Sequence, residues 1–439
     1  MPRSRHTPIF NMKAVVQETG LKPDTLRAWE RRYDLPKPDR TEGGHRIYSQ
    51  RDIDTLKWLV ARQEEGLSIS HAVDLWNRLE EQGQDPLLVE SATTPVAERP
   101  PAPVISSGES VATFRQEWLA ACLDFDERRA EEILAQAFAL YPPEQVCFEV
   151  LQKGLVEIGK GWYEGQTTVQ QEHFASELAN RRLKALIAGT PAPTRPGRIL
   201  VACPPEEEHT FGPLLLTLLL RRRGWEVLFL GANVPLDRLE ATLASTRPQL
   251  VIFSAQQLHT AATLMDVAQV MKDQNVPMAY GGRIFNLLPD LRKRIAGHFL
   301  GEGLETTAQV VESVLTTPQE APSAIMPDES YREALVHFRN QQAAVENKVW
   351  QQMSDEGVPY EHLTTANMNV ARNIKAGLKL GGMAYLGSEI QWLVGLLANF
   401  HIPPEWLTEY LEAYRGAAEE ELDERGQPLK AWLAQLELE

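Results

Sequence analysis

The sequence predicts a multidomain chain of α and α/β class: a winged helix-turn-helix head, a four-helix bundle, a doubly wound parallel sheet and a C-terminal all-α bundle. Three observations predict it. At 439 residues the chain exceeds one compact domain. Proline-rich stretches divide it. In its middle, short apolar runs alternate with helical stretches, the pattern of a parallel sheet covered on both faces.

Residues 10–80 read as short helices with one wing. A helix over Met12–Thr19 ends at Gly20, and a second runs from Pro23-Asp24 through Arg32 until Leu35-Pro36-Lys37-Pro38 stops it. Residues 40–48, with Gly43-Gly44 at the tip, read as a hairpin. Ser49 caps an amphipathic helix bearing Ile53, Leu56, Leu59 and Val60 on one face. These elements define a head over 1–82, and 83–110, centred on Arg99-Pro-Pro-Ala-Pro103, form an extended tether with little to bury. Residues 111–190 are helical again, and 191–197 form a short link. Strands follow at Arg198–Ala202, Glu226–Gly231, Leu250–Ser254, Pro277–Gly282 and His298–Gly301, placing a sheet domain at 197–316. Another linker spans 317–327, and 328–439 form a helical domain bearing Trp350, Tyr360, Tyr385, Trp392, Trp406, Tyr410 and Tyr414, with His337, His362 and His401. Such aromatic bundles are more often plain core than pocket.

Composition narrows the classes of function. With 43% hydrophobic and 24% charged residues the chain is neither disordered nor fibrous. No apolar run reaches membrane-spanning length, and the first residues lack a secretory core, so a cytoplasmic location is expected. Cys122, Cys147 and Cys203 are scattered and match no metal spacing; they read as reduced buried thiols. The net charge of −16 conceals an asymmetry. Residues 1–51 hold 11 Lys and Arg against 6 Asp and Glu, a surplus of +5 that leaves −21 on the other 388 residues. Polyanion contact is therefore expected at the head alone.

In the head, Thr25, Arg27, Trp29, Arg31 and Arg32 lie on the second helix, with Arg40, His45, Arg46 and Tyr48 on or beside the wing. A helix presents side chains to a major groove while a wing grips phosphates beside it. The plainer reading is a solvated basic domain. The order Thr25-Leu-Arg-Ala-Trp-Glu-Arg-Arg-Tyr-Asp-Leu-Pro-Lys-Pro38, then Arg40-Thr-Glu-Gly-Gly-His-Arg-Ile-Tyr-Ser49, strongly resembles the winged-helix head of MerR-type transcription regulators. The resemblance implies double-stranded operator DNA as partner and these nine residues as its contacts. Typical members continue into a long dimerising helix. Here Leu75–Leu79 leads into the tether, which leaves control of assembly to the rest of the chain.

On the loop after the first sheet strand lies Glu206-Glu-Glu-His-Thr-Phe-Gly212. Ligands of open parallel sheets bind beyond the strands' carboxyl ends. A His there presents one ring nitrogen to a metal while Glu207 orients the other, and Gly212 lets the next helix approach closely. A surface ion cluster is the alternative. With Ser254 and Gly281-Gly282 ending later strands, the pattern resembles the Rossmann-like cobalamin-binding domain of methionine synthase and its relatives. The resemblance implies His209 as lower axial ligand of cobalt, Glu207 as its hydrogen-bond partner, and Ser254, Gly281 and Gly282 along the nucleotide tail. Where that family has Ser-X-Leu/Thr, this chain has Ser254-Ala255-Gln256.

Before the sheet, nine residues separate Trp162 from Glu172-His173, with Thr168 and Gln171 forming a capping box. Read plainly, Trp162 anchors a core and Glu172-His173 are a capping pair. The spacing resembles the upper-face bundle of CarH/LitR photoreceptors, where these residues surround the adenosyl group of adenosylcobalamin. Light there breaks the cobalt–carbon bond, changes the assembly and releases DNA. The resemblance implies a light-responsive, cobalamin-dependent regulator, not an enzyme, forming a homo-oligomer (dimer or tetramer) set by cofactor state. Tyr163 stands where the best-known members carry a cobalt-capturing His, a departure from the family at that step. The segments 381–392 and 402–414 loosely resemble the extra helical domain of photocobilins, which implies a bilin such as biliverdin as second chromophore. Two other readings stay open: a corrinoid methyl-transfer module, and a regulator sensing cobalamin level or redox state in darkness.

Overall fold

A computed structural model describes residues 8–41, 43–64, 69–81, 85–87, 110–317, 320–354, 360–387 and 405–436. The chain forms two compact units, Met1–Ser107 and Gly108–Glu439. Most of the proline-rich tether expected at 83–110 lies outside the described residues, as do Trp392 and His401.

In the first unit, α1 (Met12–Thr19) starts where the Asn11 side chain accepts the Ala14 N–H, and ends at Gly20 in the left-handed conformation. Pro23 opens α2 (Pro23–Tyr33), where its missing N–H costs nothing. The wing is the antiparallel pair β2 (Asp39–Arg40) and β3 (Arg46–Tyr48), joined on its other edge by β1 (Phe10–Asn11). The sequence did not predict β1, since two residues carry no periodicity. The Ser49 hydroxyl and Asp52 carboxylate cap α3 (Gln50–Glu64) reciprocally, and α4 (Ile69–Glu81) packs on it. Trp58 and Trp76 meet edge to face at 5.2 Å between those helices.

The second unit is built on a parallel sheet ordered β5-β4-β6-β7-β8, comprising β4 (Arg198–Ala202), β5 (Glu226–Gly231), β6 (Leu250–Ser254), β7 (Met278–Gly281) and β8 (His298–Phe299). Strand side chains alternate between faces, and each face has its own core. Ile199, Val201 and Ile252 join one with the preceding helices; Leu200, Val251 and Phe253 join the other with the C-terminal helices.

The first core holds α5 (Val111–Leu123), α6 (Glu127–Leu140), α7 (Pro143–Val146), a π-helical stretch Cys147–Gln152 leading into α8 (Lys153–Tyr163), and α9 (Val169–Ala188). The capping box of Thr168 and Gln171 is present at the start of α9. This helix packs on α10 (Phe211–Arg222), the first helix of the sheet domain. Then follow α11 (Leu239–Thr246), α12 (Leu258–Asp273), α13 (Arg283–Leu287) and α14 (Leu304–Thr316).

The second core adds α15 (Glu329–Ser354), α16 (Tyr360–Leu380), α17 (Glu405–Glu421) and α18 (Gln427–Ala434). Tyr410 and Tyr414 are fully buried core residues, the Tyr410 hydroxyl donating to Asn367 Oδ1 at 2.7 Å. Helix α16 packs on α12, with Lys379 paired to Asp266. The linker expected at 317–327 is strapped to the sheet domain over its described part: Ile325 N–H donates to the Lys293 carbonyl and Gly297 N–H to the Pro322 carbonyl. No helix among the described residues is long and apolar enough to cross a membrane. All three cysteines are buried thiols, their pKa pushed up to about 12 by burial.

Candidate functional site

The strand order reverses direction at β4, whose neighbours are β5 and β6, so their carboxyl ends flank the crevice such sheets use. The β4 exit loop carries Glu207, 1% exposed, whose carboxylate receives four hydrogen bonds. Oε1 accepts the His209 backbone N–H at 2.9 Å and the His209 Nδ1–H at 2.6 Å. Oε2 accepts the Gln256 N–H and the Thr260 hydroxyl, each at 2.7 Å.

Burial alone would raise the Glu207 pKa, but the hydrogen bond from His209, its charge and the backbone donors hold it below the usual carboxylate range. The Glu207 hydrogen bond raises the pKa of His209 against the opposing effect of burial; Glu172 on α9 adds to the rise and Arg283 reduces it. With Nδ1 committed to Glu207, the half-exposed imidazole offers the lone pair of Nε2 outward. The arrangement is an oriented, electron-rich single imidazole, a donor suited to a metal ion.

At the neighbouring strand ends, Ser254 pairs in register with Gly281. A Cβ at Gly281 would meet nothing within 4 Å, whereas Gly282 has φ 123° and a Cβ there would lie 2.0 Å from the Ala255 carbonyl oxygen. Gly281 thus leaves an opening, and Gly282 is required by the backbone. With His209, these residues fit a corrinoid, which they would hold at the strand ends. The reading of Gly212 as a close-approach glycine is corrected: a Cβ there would reach only Leu304 Cδ1 at 3.9 Å, an ordinary contact.

Thr260 escaped the sequence reading. Its signal was the Gln257-to-Thr260 capping box at the start of α12, which points a hydroxyl back toward the strand ends.

On the bundle side, Trp162 is half-buried on α8, and Glu172 and His173 occupy the first turn of α9. The Glu172 carboxylate accepts the Ser176 hydroxyl at 2.7 Å and lies 3.7 Å from His173 Nε2. Its charge is one of the lesser contributions to the raised pKa of His209. The Tyr163 side chain lies outside the described part of the structure.

A cavity of about 990 Å³ lies behind the same loop, between α12 and helices α15 and α16. Glu206, His259, Arg339, Trp350, Arg372 and Lys375 line it among others. Among the described residues, His259 Nε2 and Arg372 Nε are buried without a hydrogen-bond partner. Burial, then the Arg372 charge, push the His259 pKa down to about 4.

In the head, Arg27, Arg31, Arg32, Arg40 and His45 are exposed, and Thr25 is half-buried. Arg46 is half-buried, its Nε donating to Glu30 at 2.7 Å. Two expected DNA contacts are corrected. Trp29 and Tyr48 are 7% and 1% exposed and belong to the hydrophobic core, with the Tyr48 hydroxyl turned to Met12 Sδ. The pairing of Leu26 with Trp29 on one helix face places the indole inside.

Family models match in the same order. Residues 10–79 match the MerR HTH family regulatory protein, and residues 115–187 and 197–311 each match a B12 binding domain. Over 297 residues the chain is 32% identical to the HTH-type transcriptional repressor CarH of Myxococcus xanthus, an alignment spanning 67% of this chain and 95% of that one. The chain belongs to the CarH family. It is also 32% identical to the repressor CarA of the same organism, over 56% of this chain and 76% of that one. Its head alone is 46% identical over 62 residues to the regulator MlrA of Escherichia coli, 14% of this chain and 26% of that one. As a CarH-family member the chain is a MerR-type, B12-binding transcription regulator. CarH and CarA are repressors, not enzymes, so the methyl-transfer module is not favoured.

Proposed function

We propose that this protein is a light-responsive cytoplasmic repressor that holds adenosylcobalamin between its helical bundle and its sheet domain, and that the cofactor's state sets a homo-oligomer's grip on operator DNA. The carrying observation is the His209 imidazole on the β4 exit loop, its Nδ1 held at 2.6 Å by the buried Glu207 carboxylate so that the other ring nitrogen is left to a ligand.

When bound, the cofactor supplies a cobalt–carbon bond that light breaks. The chain's own residues do the rest. His209 would hold the metal, with Glu207 and Thr260 fixing the tautomer and direction of its ring. Gly281 leaves room beside Ser254 for the tail. Trp162, Glu172 and His173 would pack on the cofactor from the bundle, an interaction that would help to hold bundle to sheet while the cofactor is bound. Arg27, Arg31, Arg32, Arg40 and His45 contact the operator, with Arg46 and Thr25 at the edge of that face.

The test is reconstitution with adenosylcobalamin in darkness, followed by size measurement and operator titration before and after green light. A change in both supports the reading. Unchanged size and affinity after photolysis favour a regulator that senses cobalamin or redox state in darkness.

A second reading concerns the cavity behind the β4 loop. Its volume, its Arg and Lys side chains and the Trp350 ring suit a bilin with its paired carboxylates. Purification from a host supplied with both pigments, followed by identification of what remains bound, tests this; a product carrying cobalamin alone removes the bilin.

A further inference from the structure

Gln256 marks this chain's departure from Ser-X-Leu/Thr, and it joins three loops at the strand ends. Its backbone N–H donates to Glu207 Oε2 at 2.7 Å. Its side-chain Oε1 accepts the Arg283 backbone N–H at 3.0 Å, and its Nε2 donates to Ser254 Oγ at 2.8 Å. The Arg283 N–H demands an acceptor, which fixes the amide's orientation and turns its nitrogen toward Ser254. A serine hydroxyl has one proton and two lone pairs. Because Oγ receives a hydrogen from Gln256, its own proton is directed elsewhere, and among the described residues no protein acceptor takes it. Ser254 and Gly281 are in register on adjacent parallel strands and present the same face. A Cβ at Gly281 would meet no atom of the described residues within 4 Å. A committed donor therefore stands beside an opening.

We infer that Gln256 is a specificity-determining residue for the lower nucleotide of the corrinoid. It rests on the B12-binding reading, with the tail entering beside Ser254 and Gly281. By fixing the polarity of the Ser254 hydroxyl, Gln256 selects lower bases that offer an unprotonated ring nitrogen, namely benzimidazoles and purines. Phenolic lower bases have no such nitrogen. A leucine at this position would leave the hydroxyl free to rotate; glutamine removes that freedom. A site built to donate one hydrogen bond discriminates against a ligand lacking the acceptor, because the donor is then left unpaired.

The experiment is equilibrium titration of the full-length protein in darkness with two corrinoids, one dimethylbenzimidazolyl and one phenolyl, read by visible spectrum and tryptophan quenching. The readout is the ratio of the two affinities, which cancels any general effect of a variant on folding or charge. Gln256→Glu presents only acceptors, so the Ser254 proton turns inward. The ratio is expected to fall by about tenfold toward the phenolyl form. Ser254→Ala should lower it equally, and adding Gln256→Glu to Ser254→Ala should change it no further. An unchanged ratio in Gln256→Glu, or a further drop in the double variant, overturns the inference. A wild-type protein that binds neither corrinoid overturns the B12-binding reading beneath it instead.

Discussion

Thr260 on α12 and Glu207 on the β4 exit loop, 53 positions apart, share a 2.7 Å hydrogen bond. The other oxygen of that carboxylate holds the His209 ring at 2.6 Å. The imidazole is thus braced from a helix that does not carry it. Such outer partners are worth about 10–100-fold in metal affinity. Thr260→Val is expected to weaken cobalamin binding within that range while operator affinity of the pigment-free protein stays constant, and Thr260→Ser should restore it. His209→Ala should abolish any imidazole-ligated spectrum; tight binding with an unchanged spectrum would refute the ligand assignment.

The paired glycines ending β7 should separate folding from binding. Gly282→Ala forces a side chain onto the Ala255 carbonyl at a backbone angle that L-residues avoid. A loss of about 2–4 kcal/mol in chemical denaturation is expected. Gly281→Val enters open space and should leave the melting temperature nearly unchanged while blocking the tail, which titration with cobalamin would reveal. Equal effects of the two variants would contradict the assignment of the opening.

In the head, Arg27 and Arg31 are exposed while Trp29 is core. Arg27→Ala and Arg31→Ala should each lower operator affinity without altering the thermal melt. Where the arginine grips a phosphate, its removal should reduce the slope of log affinity against log salt by about 1. Trp29→Ala should instead unfold the head, at a cost of about 3–5 kcal/mol. Anisotropy titrations at several salt concentrations, beside circular dichroism melts, distinguish the two classes.

His259 gives the second unit a pH dependence. Its folded pKa is pushed down to about 4, below its ordinary value, so the unfolded chain binds a proton that the folded chain refuses. Stability is fully present above the unfolded pKa of about 6.5 and is lost as pH falls toward 4, by roughly 3 kcal/mol over the window. Denaturation of pigment-free protein at pH 7 and pH 4.5 checks this. His259→Asn retains a donor for the Glu206 carbonyl and should flatten that part of the profile.

Much of this was legible beforehand. The five strands announced themselves as apolar runs, and α1 and α2 as stretches bounded by Gly20, Pro23 and Pro36. Glu207 and His209 were legible because their spacing on a strand-exit loop carries the chemistry. The inward turn of Trp29 and Tyr48 was harder to read, because a basic, aromatic-rich helix looks alike from either side until its partners are placed. Thr260 was hidden by distance along the chain, since only the parallel sheet returns α12 to the β4 loop. The cavity is a property of three helices together and has no local signature.

Alternate residues of β4 serve opposite cores, Ile199 and Val201 on one side and Leu200 and Ala202 on the other. A slip of one residue would exchange both sets at once, so this strand is pinned between two helical jackets. The imidazole at its end inherits that anchorage. Loosening either jacket would therefore be felt at the same atom, and a disturbance that begins in one helical layer has a rigid lever by which to reach the other.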